Sequence, residues 1–160
     1  MTALASHPQI YFDDLVVGME YISAARTICE TDIISFAGLS GDFNPLHIDR
    51  EFAAKTAHGE RIAHGLLVLS IISGLSTRTA LMLGLAEQMV GLLNLECRFR
   101  HATKIGDTIH ARLTVAGLRR TSKDDTGVLT LNREAIDQTR RVVMESVWTL
   151  LVRCRSEGSK

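Results

Sequence analysis

Proline and aromatic residues are scarce in this chain of 160 residues, which has two prolines and 5% aromatic side chains. No low-complexity run accompanies them, so nothing in the chain reads as a stiff linker between separately folding parts. The three cysteines, Cys29, Cys97 and Cys154, are far apart and odd in number. They show no CxxC or Cys/His spacing of a zinc site, and such a set implies reduced thiols in a reducing compartment. An excess of one charge is missing too, with 18 basic against 18 acidic side chains. A balanced chain offers no overall field for nucleic acid or for an anionic membrane surface. The most apolar run, 62–75, is interrupted by His64, two serines and two glycines. It is too short to span a bilayer. No basic segment followed by an apolar core stands at the start, so no secretory signal is expected. The expectation is a cytoplasmic protein that binds no nucleic acid and enters no membrane.

What is present suffices for one domain with its own core, which needs neither metal nor disulfide to fold. A single domain over 1–160 is expected, with an ordered core at 10–155 and frayed ends. GMEYISAARTIC (18–29) has turn chemistry followed by strand formers, and predicts a first strand. Thr31 is placed to cap a short helix, with Asp32 favoured in its first turn. Ile33, Phe36 and Ala37 share one face of it, and Gly38 and Gly41 end it. Asp49 caps a second short helix, REFAAK (50–55). HGLLVLSIISGLSTRTALML (64–83) is apolar nearly all round, which predicts one long buried helix. Its β-branched residues would also suit a strand, and length favours the helix.

Beyond Gly91 the period becomes two. In LLNLECRFRHA (92–102), Leu93, Leu95, Cys97 and Phe99 fall on one side, and Asn94, Glu96, Arg98 and Arg100 on the other. Strands over 107–120, 128–138 and 141–153 follow, with a hairpin turn at 121–127. Helices including one buried helix, then about four antiparallel strands, make an α+β layout in which a sheet wraps the helix.

Residues 40–49 read SGDFNPLHID. They set Asp42 and His47 five residues apart, around an Asn44-Pro45 step that turns the chain away from helix. A carboxylate only accepts hydrogen bonds, while imidazole accepts or donates near neutral pH. Taken alone, the pair is either a solvated turn or an acid–base site. Downstream, His64-Gly65 opens the buried helix, where the first backbone N–H groups lack intrahelical partners. Gly65 would let a ligand approach them closely, or it is there only for packing.

DIISFAGLSGDFNPLHIDREFAAKT (32–56) followed by RIAHGLLVLSIISG (61–74) resembles the MaoC-like, (R)-specific enoyl-CoA hydratases. YFDDLVVGMEY near the start and ECRFRHATKIGDTI (96–109) extend the resemblance. It implies the hot-dog fold, an antiparallel β-sheet wrapped around a long central α-helix. It also implies a hydratase/dehydratase that interconverts trans-2-enoyl and (R)-3-hydroxyacyl thioesters. By that resemblance Asp42 and His47 are the catalytic dyad and the Gly65 N–H is the oxyanion donor. Asn44, Ser73 and His64 are supporting residues. Coenzyme A enters as part of an acyl-CoA substrate, acyl carrier protein being the other carrier, and no separate cofactor is implied. The family implies at least a homodimer.

Arg61 stands where the family commonly has proline, and either loosens its loop or touches substrate. His58, Glu60 and His64 are close in sequence, but no HExxH pattern is present and no metal is expected. Arg98, Arg100, His101 and Lys104, or Arg119, Arg120 and Lys123, are either phosphate contacts or a solvated face. Two other readings stay open. A hot-dog acyl-CoA thioesterase of the kind with a carboxylate on its central helix is disfavoured, because 65–83 has no Asp or Glu. A non-catalytic acyl-thioester binding subunit is disfavoured by the presence of both dyad residues.

Overall fold

The computed structural model describes residues 8–122 and 125–155. The frayed ends expected from sequence and the tip of the 121–127 turn therefore fall largely outside the described residues. A 3-10 turn, Phe12–Asp14, leads into two short strands, β1 (Glu20–Ile22) and β2 (Arg26–Thr27). The single first strand expected from sequence is broken by an extra residue. Ile22 pairs with Arg112 but Arg26 pairs with Ile109, so four steps on one strand face three on the other. The Ser23 hydroxyl fills the gap by accepting the Ala111 N–H at 2.8 Å, as a β-bulge requires.

Helix α1 (Glu30–Ser40) starts earlier than a Thr31 cap would set it. Cys29 is its N-cap, and the Asp32 carboxylate accepts the Cys29 N–H at 2.8 Å. The cap is thus made by the residue reaching back rather than by a hydroxyl at the front. Gly41, at φ 76°, ends the helix in the left-handed conformation, which glycine adopts without the cost of a Cβ. Two single-turn helices follow, α2 (Pro45–Ile48) and α3 (Arg50–Ala53). The proline does not exclude helix here, contrary to expectation. It sits at the first helical position, where its missing N–H is not needed, while Asn44 stays non-helical as the N-cap.

The long helix expected over 64–83 is two helices, α4 (Gly65–Ser76) and α5 (Ala80–Gly84). The break is made by hydroxyls that bond back to the chain. Ser76 donates to the Ile72 carbonyl, Thr77 to Gly74 and Thr79 to Ser76, and Thr79 then caps α5. Leu67, Val68, Ile71, Ile72 and Leu75 are buried, whereas Leu66, Ser70 and Gly74 form an exposed stripe. The helix is therefore not buried all round.

Four long strands complete the chain: β3 (Met89–Phe99), β4 (Thr108–Arg120), β5 (Thr126–Ile136) and β6 (Val142–Arg153). Every pairing is antiparallel, in the order β1-β4-β5-β6-β3, with β2 also on β4. Helix α4 packs on β4 and β5. Inward-facing Leu113, Leu129, Leu131 and Leu150 meet Leu67, Ile71 and Ile72 in one core. Each such side chain contributes roughly 1.5–3 kcal/mol by leaving water. Among the described residues strand β3 pairs only with β6 and is an edge. Its register slips between Leu92 and Asn94, so Leu93 is a bulge residue rather than a member of the buried side. Leu92, Leu93 and Phe99 remain about half exposed.

Candidate active site

Two local structures bring the 40–49 segment against the start of α4. The left-handed Gly41 turns the chain out of α1, and the Asp42 carboxylate then accepts the Asn44 N–H at 3.2 Å. Asn44 in turn accepts the Leu46 N–H at 3.0 Å, which starts α2 and carries His47 inward. On the other side, Ile62 bridges to Lys104 and the Ala63 N–H donates to the Thr103 carbonyl at 2.8 Å. These pairings hold residues 62–64 along the sheet end, so that α4 begins beside His47.

The His47 Nδ1 lies 2.8 Å from the Ile62 carbonyl oxygen. A carbonyl can only accept, so Nδ1 carries a proton, and in the neutral ring Nε2 presents a lone pair. His64 is buried, and its Nε2 lies 3.0 Å from the Asp42 carbonyl oxygen. The same logic leaves His64 Nδ1 as an acceptor, and no partner for it is found among the described residues. The two rings stack at 3.8 Å between centroids. Asp42 is exposed and His47 half-buried, so the cluster spans the boundary between solvent and core.

A cavity of about 390 Å³ opens next to His47. Its lining includes Gly65, Val68, Phe99 and Met144, together with His58 and His101. The first N–H groups of α4 have no intrahelical acceptor and carry the positive end of the helix dipole. A Cβ built on Gly65 would lie 2.9 Å from the Phe99 ring, so the absent side chain is what lets α4 start this close to the strand. An imidazole nitrogen, a carboxylate and the partnerless N–H groups of a helix start thus gather beside an apolar cleft. That is the equipment for adding or removing a proton next to a carbonyl.

Asp42, His47 and His64 also gather as metal-type donors, their ligand atoms all within 4.8 Å of one another. This donor set already has His47 Nδ1 and His64 Nε2 against carbonyl oxygens. It is not the His58, Glu60 and His64 set considered from sequence: the Glu60 carboxylate instead pairs with Lys104 at 2.6 Å.

Of the residues singled out by sequence, Asp42, Asn44, His47, His64 and Gly65 converge, although only His47 and Gly65 of these line the cavity. Ser73 does not join them. It is eight residues along α4 from Gly65, roughly 12 Å by helical rise, and outside the cavity lining. Arg61 reaches away from the cavity and donates to Glu30 at 2.7 Å, which ties its loop to the first residue of α1. Arg100 lines the cavity while pairing with Glu145 at 2.7 Å, an interaction that pushes its guanidinium further up. Sequence reasoning weighed His58 only as a metal ligand and passed over Val143 and Met144, all three of which line the cavity. Met144 was within reach, because period two from Ser146 and Trp148 puts it on the same inward face.

Comparisons with known proteins identify the family and the fold. A family model described as "MaoC like domain" matches residues 15–138. An (R)-specific enoyl-CoA hydratase of Rhodospirillum rubrum is 41% identical over 109 residues, which is 68% of this chain and 71% of that protein. Among solved structures, a monoamine oxidase regulatory protein of Archaeoglobus superposes with a TM-score of 0.89 at 33% identity. The match covers 96% of this chain and all (100%) of that one. A Mycobacterium tuberculosis protein described as a double hot-dog fold superposes with a TM-score of 0.80 at 25% identity, over 95% of this chain and 46% of that one. The fold is the hot-dog fold expected from sequence.

Proposed function

The chain belongs to the MaoC-like family, and from that premise we propose that it adds water reversibly to trans-2-enoyl thioesters of coenzyme A to give (R)-3-hydroxyacyl thioesters. The observation that carries this reading is the meeting of Asp42 and His47 with the head of α4 at an apolar cleft.

The thioester carbonyl lies against the Gly65 N–H, with its acyl chain running along Phe99 and Met144. A water is held between the Asp42 carboxylate and His47 Nε2. As the water oxygen bonds to C3, His47 takes its proton. The C2–C3 π electrons shift onto the thioester oxygen, where the Gly65 N–H holds the developing charge. Collapse of this enolate takes a proton at C2 from the dyad, with Asp42 orienting the water and relaying the proton. The sum is one hydroxyl on C3 and one hydrogen on C2, and dehydration is the reverse. General acid–base groups of this kind supply typically 10²–10⁴-fold, and one oxyanion donor roughly 10²–10³-fold.

Apolar side chains of β3, among them Leu92, Leu93 and Phe99, are about half exposed, and Leu66 of α4 is exposed as well. An unpaired strand edge with this composition calls for cover, and a second copy of the chain supplies it in this reading. No helix among the described residues is long and apolar enough to cross a membrane. The function is tested by mixing the protein with trans-2-enoyl-CoAs of increasing length and following loss of the conjugated thioester's ultraviolet absorbance. Unchanged absorbance across the series, on coenzyme A and on acyl carrier protein alike, would reject it.

A further inference from the structure

The inward face of the sheet is apolar along nearly every rung. Leu113, Leu129, Leu131, Ala135, Met144 and Leu150 all face the core. One rung breaks the pattern. Cys97 on β3 pairs with Ser146 on β6, and Ser146 pairs with Arg133 on β5. Arg133 is only 2% exposed. A guanidinium taken out of water costs several kcal/mol unless paired, and arginines are almost never fully buried without a partner. No ion pair to Arg133 is found among the described residues.

What Arg133 does touch is soft. Its guanidinium carbon lies 4.0 Å from the centre of the Trp148 ring. Its Nη2 points at the Met82 sulfur at 3.7 Å, and no hydrogen-bond partner for its Nε is found among the described residues. Nε and Nη2 form one edge of the guanidinium, the edge that grips a carboxylate with two parallel hydrogen bonds. Among the described residues that edge meets only a thioether, a weak acceptor on a flexible side chain. Burial pushes the guanidinium down to about 10, and it remains a cation at neutral pH.

The position of this rung gives the edge a use. The cleft beside His47 is lined by Phe99 and Met144, which face each other across β3 and β6. The next inward rung is Cys97–Ser146–Arg133, and the one after holds Leu95 and Trp148. Helix α4 covers β4 and β5 rather than β3 and β6. Cys97 and Leu95 are accordingly only half-buried. A chain leaving Gly65 along Phe99 and Met144 therefore runs toward Arg133.

We propose that Arg133 is the receptor for a carboxylate at the far end of the acyl chain, so that the preferred substrates are ω-carboxyacyl thioesters. This rests on the acyl-thioester reading of the cleft given above. The guanidinium lies one to two rungs beyond Met144, roughly 7–13 Å by strand geometry, the extended length of roughly six to ten methylene bonds. Met82 swings aside as the carboxylate takes the Nε–Nη2 edge, and Trp148 holds the guanidinium in place from its face.

The test uses saturated acyl-CoAs, which bind without turnover, in pairs of equal length ending in a methyl or a carboxylate. Their affinities are measured by calorimetry on the wild-type protein and on Arg133→Met, which keeps length and loses the charge. The wild type is expected to bind the carboxylate-ended member at least about tenfold tighter at one or more lengths, as a two-point charged hydrogen bond provides. Arg133→Met is expected to prefer the methyl-ended member. Lack of a carboxylate preference at every length in the wild type overturns the proposal without recourse to the variant, as does a preference that survives Arg133→Met. Hydration of matched enoyl-CoAs is followed separately. Turnover without carboxylate preference removes only the role of Arg133, and carboxylate preference without turnover removes only the hydratase. If neither member of any pair binds, both fall.

Discussion

Replacing Gly65 by alanine separates the oxyanion role from packing. Gly65 does not have a positive φ, so an alanine can adopt its backbone without strain. The added Cβ would lie 2.9 Å from two atoms of the Phe99 ring. Carbon pairs settle near 3.5–4.0 Å, so the ring has to retreat by roughly 0.6–1 Å. Phe99 is half exposed on an edge strand and can do so. Alanine also raises helix propensity over glycine by up to about 1 kcal/mol. The two effects oppose, and stability is expected to stay within about 1 kcal/mol of the wild type, a shift of only a few degrees in Tm. The methyl group and the displaced ring occupy the approach to the N–H, so kcat on enoyl-CoA is expected to fall roughly 10²–10³-fold. Calorimetric melting and steady-state hydration are measured on the same preparation. A folded Gly65→Ala protein with kcat within a few-fold of the wild type would refute the assignment.

Three further outcomes are expected. Asp42→Asn and His47→Gln each lower kcat by roughly 10²–10⁴-fold with an unchanged circular dichroism spectrum, and a variant of full activity removes that residue from the dyad. At the β5–β6 turn, burial pushes the Asp137 carboxyl up, but hydrogen bonds from Thr139 and Arg141 outweigh it and hold the group below its ordinary value. Its stabilisation is therefore present above the unfolded value of about 4 and is lost as pH falls through the lower folded value. Asp137→Asn should lower Tm at neutral pH and converge on the wild type in acid, and a gap that does not narrow in acid speaks against this. Leu93→Lys, on the exposed bulge of β3, should shift a sedimenting dimer toward monomer, and a variant dimer as stable as the wild type's would place the interface elsewhere.

The fold was legible where period and length agree. Strands β3 to β6 start within a few residues of where alternation sets them, because one face of each meets the core. The errors have local causes. The 18–29 strand broke at Ser23, whose hydroxyl replaces a backbone acceptor, a contact that depends on where Ala111 lies. The helix over 64–83 broke because Ser76, Thr77 and Thr79 bonded to carbonyls, which apolar periodicity ignores. Proline at the first turn of α2 obeyed a rule of helix starts rather than of helix breaking. In the site, Asp42, His47 and Gly65 were legible from the resemblance, and chain geometry brings them together. The stacking of His47 on His64 was not legible, since it depends on how residues 62–64 pair with the strand end. Arg133 left a signal that was passed over: it shares parity with Leu129, Leu131 and Ala135, so alternation alone turns it inward.

The central claim is tested most directly by stereochemistry. A trans-2-enoyl-CoA is incubated with the protein, and the 3-hydroxyacyl product is split between dehydrogenases specific for each enantiomer. The account predicts hydration that yields the (R) product and is lost in Asp42→Asn and His47→Gln. An (S) product, free thiol in place of a hydroxyacyl thioester, or turnover that survives both substitutions would contradict it.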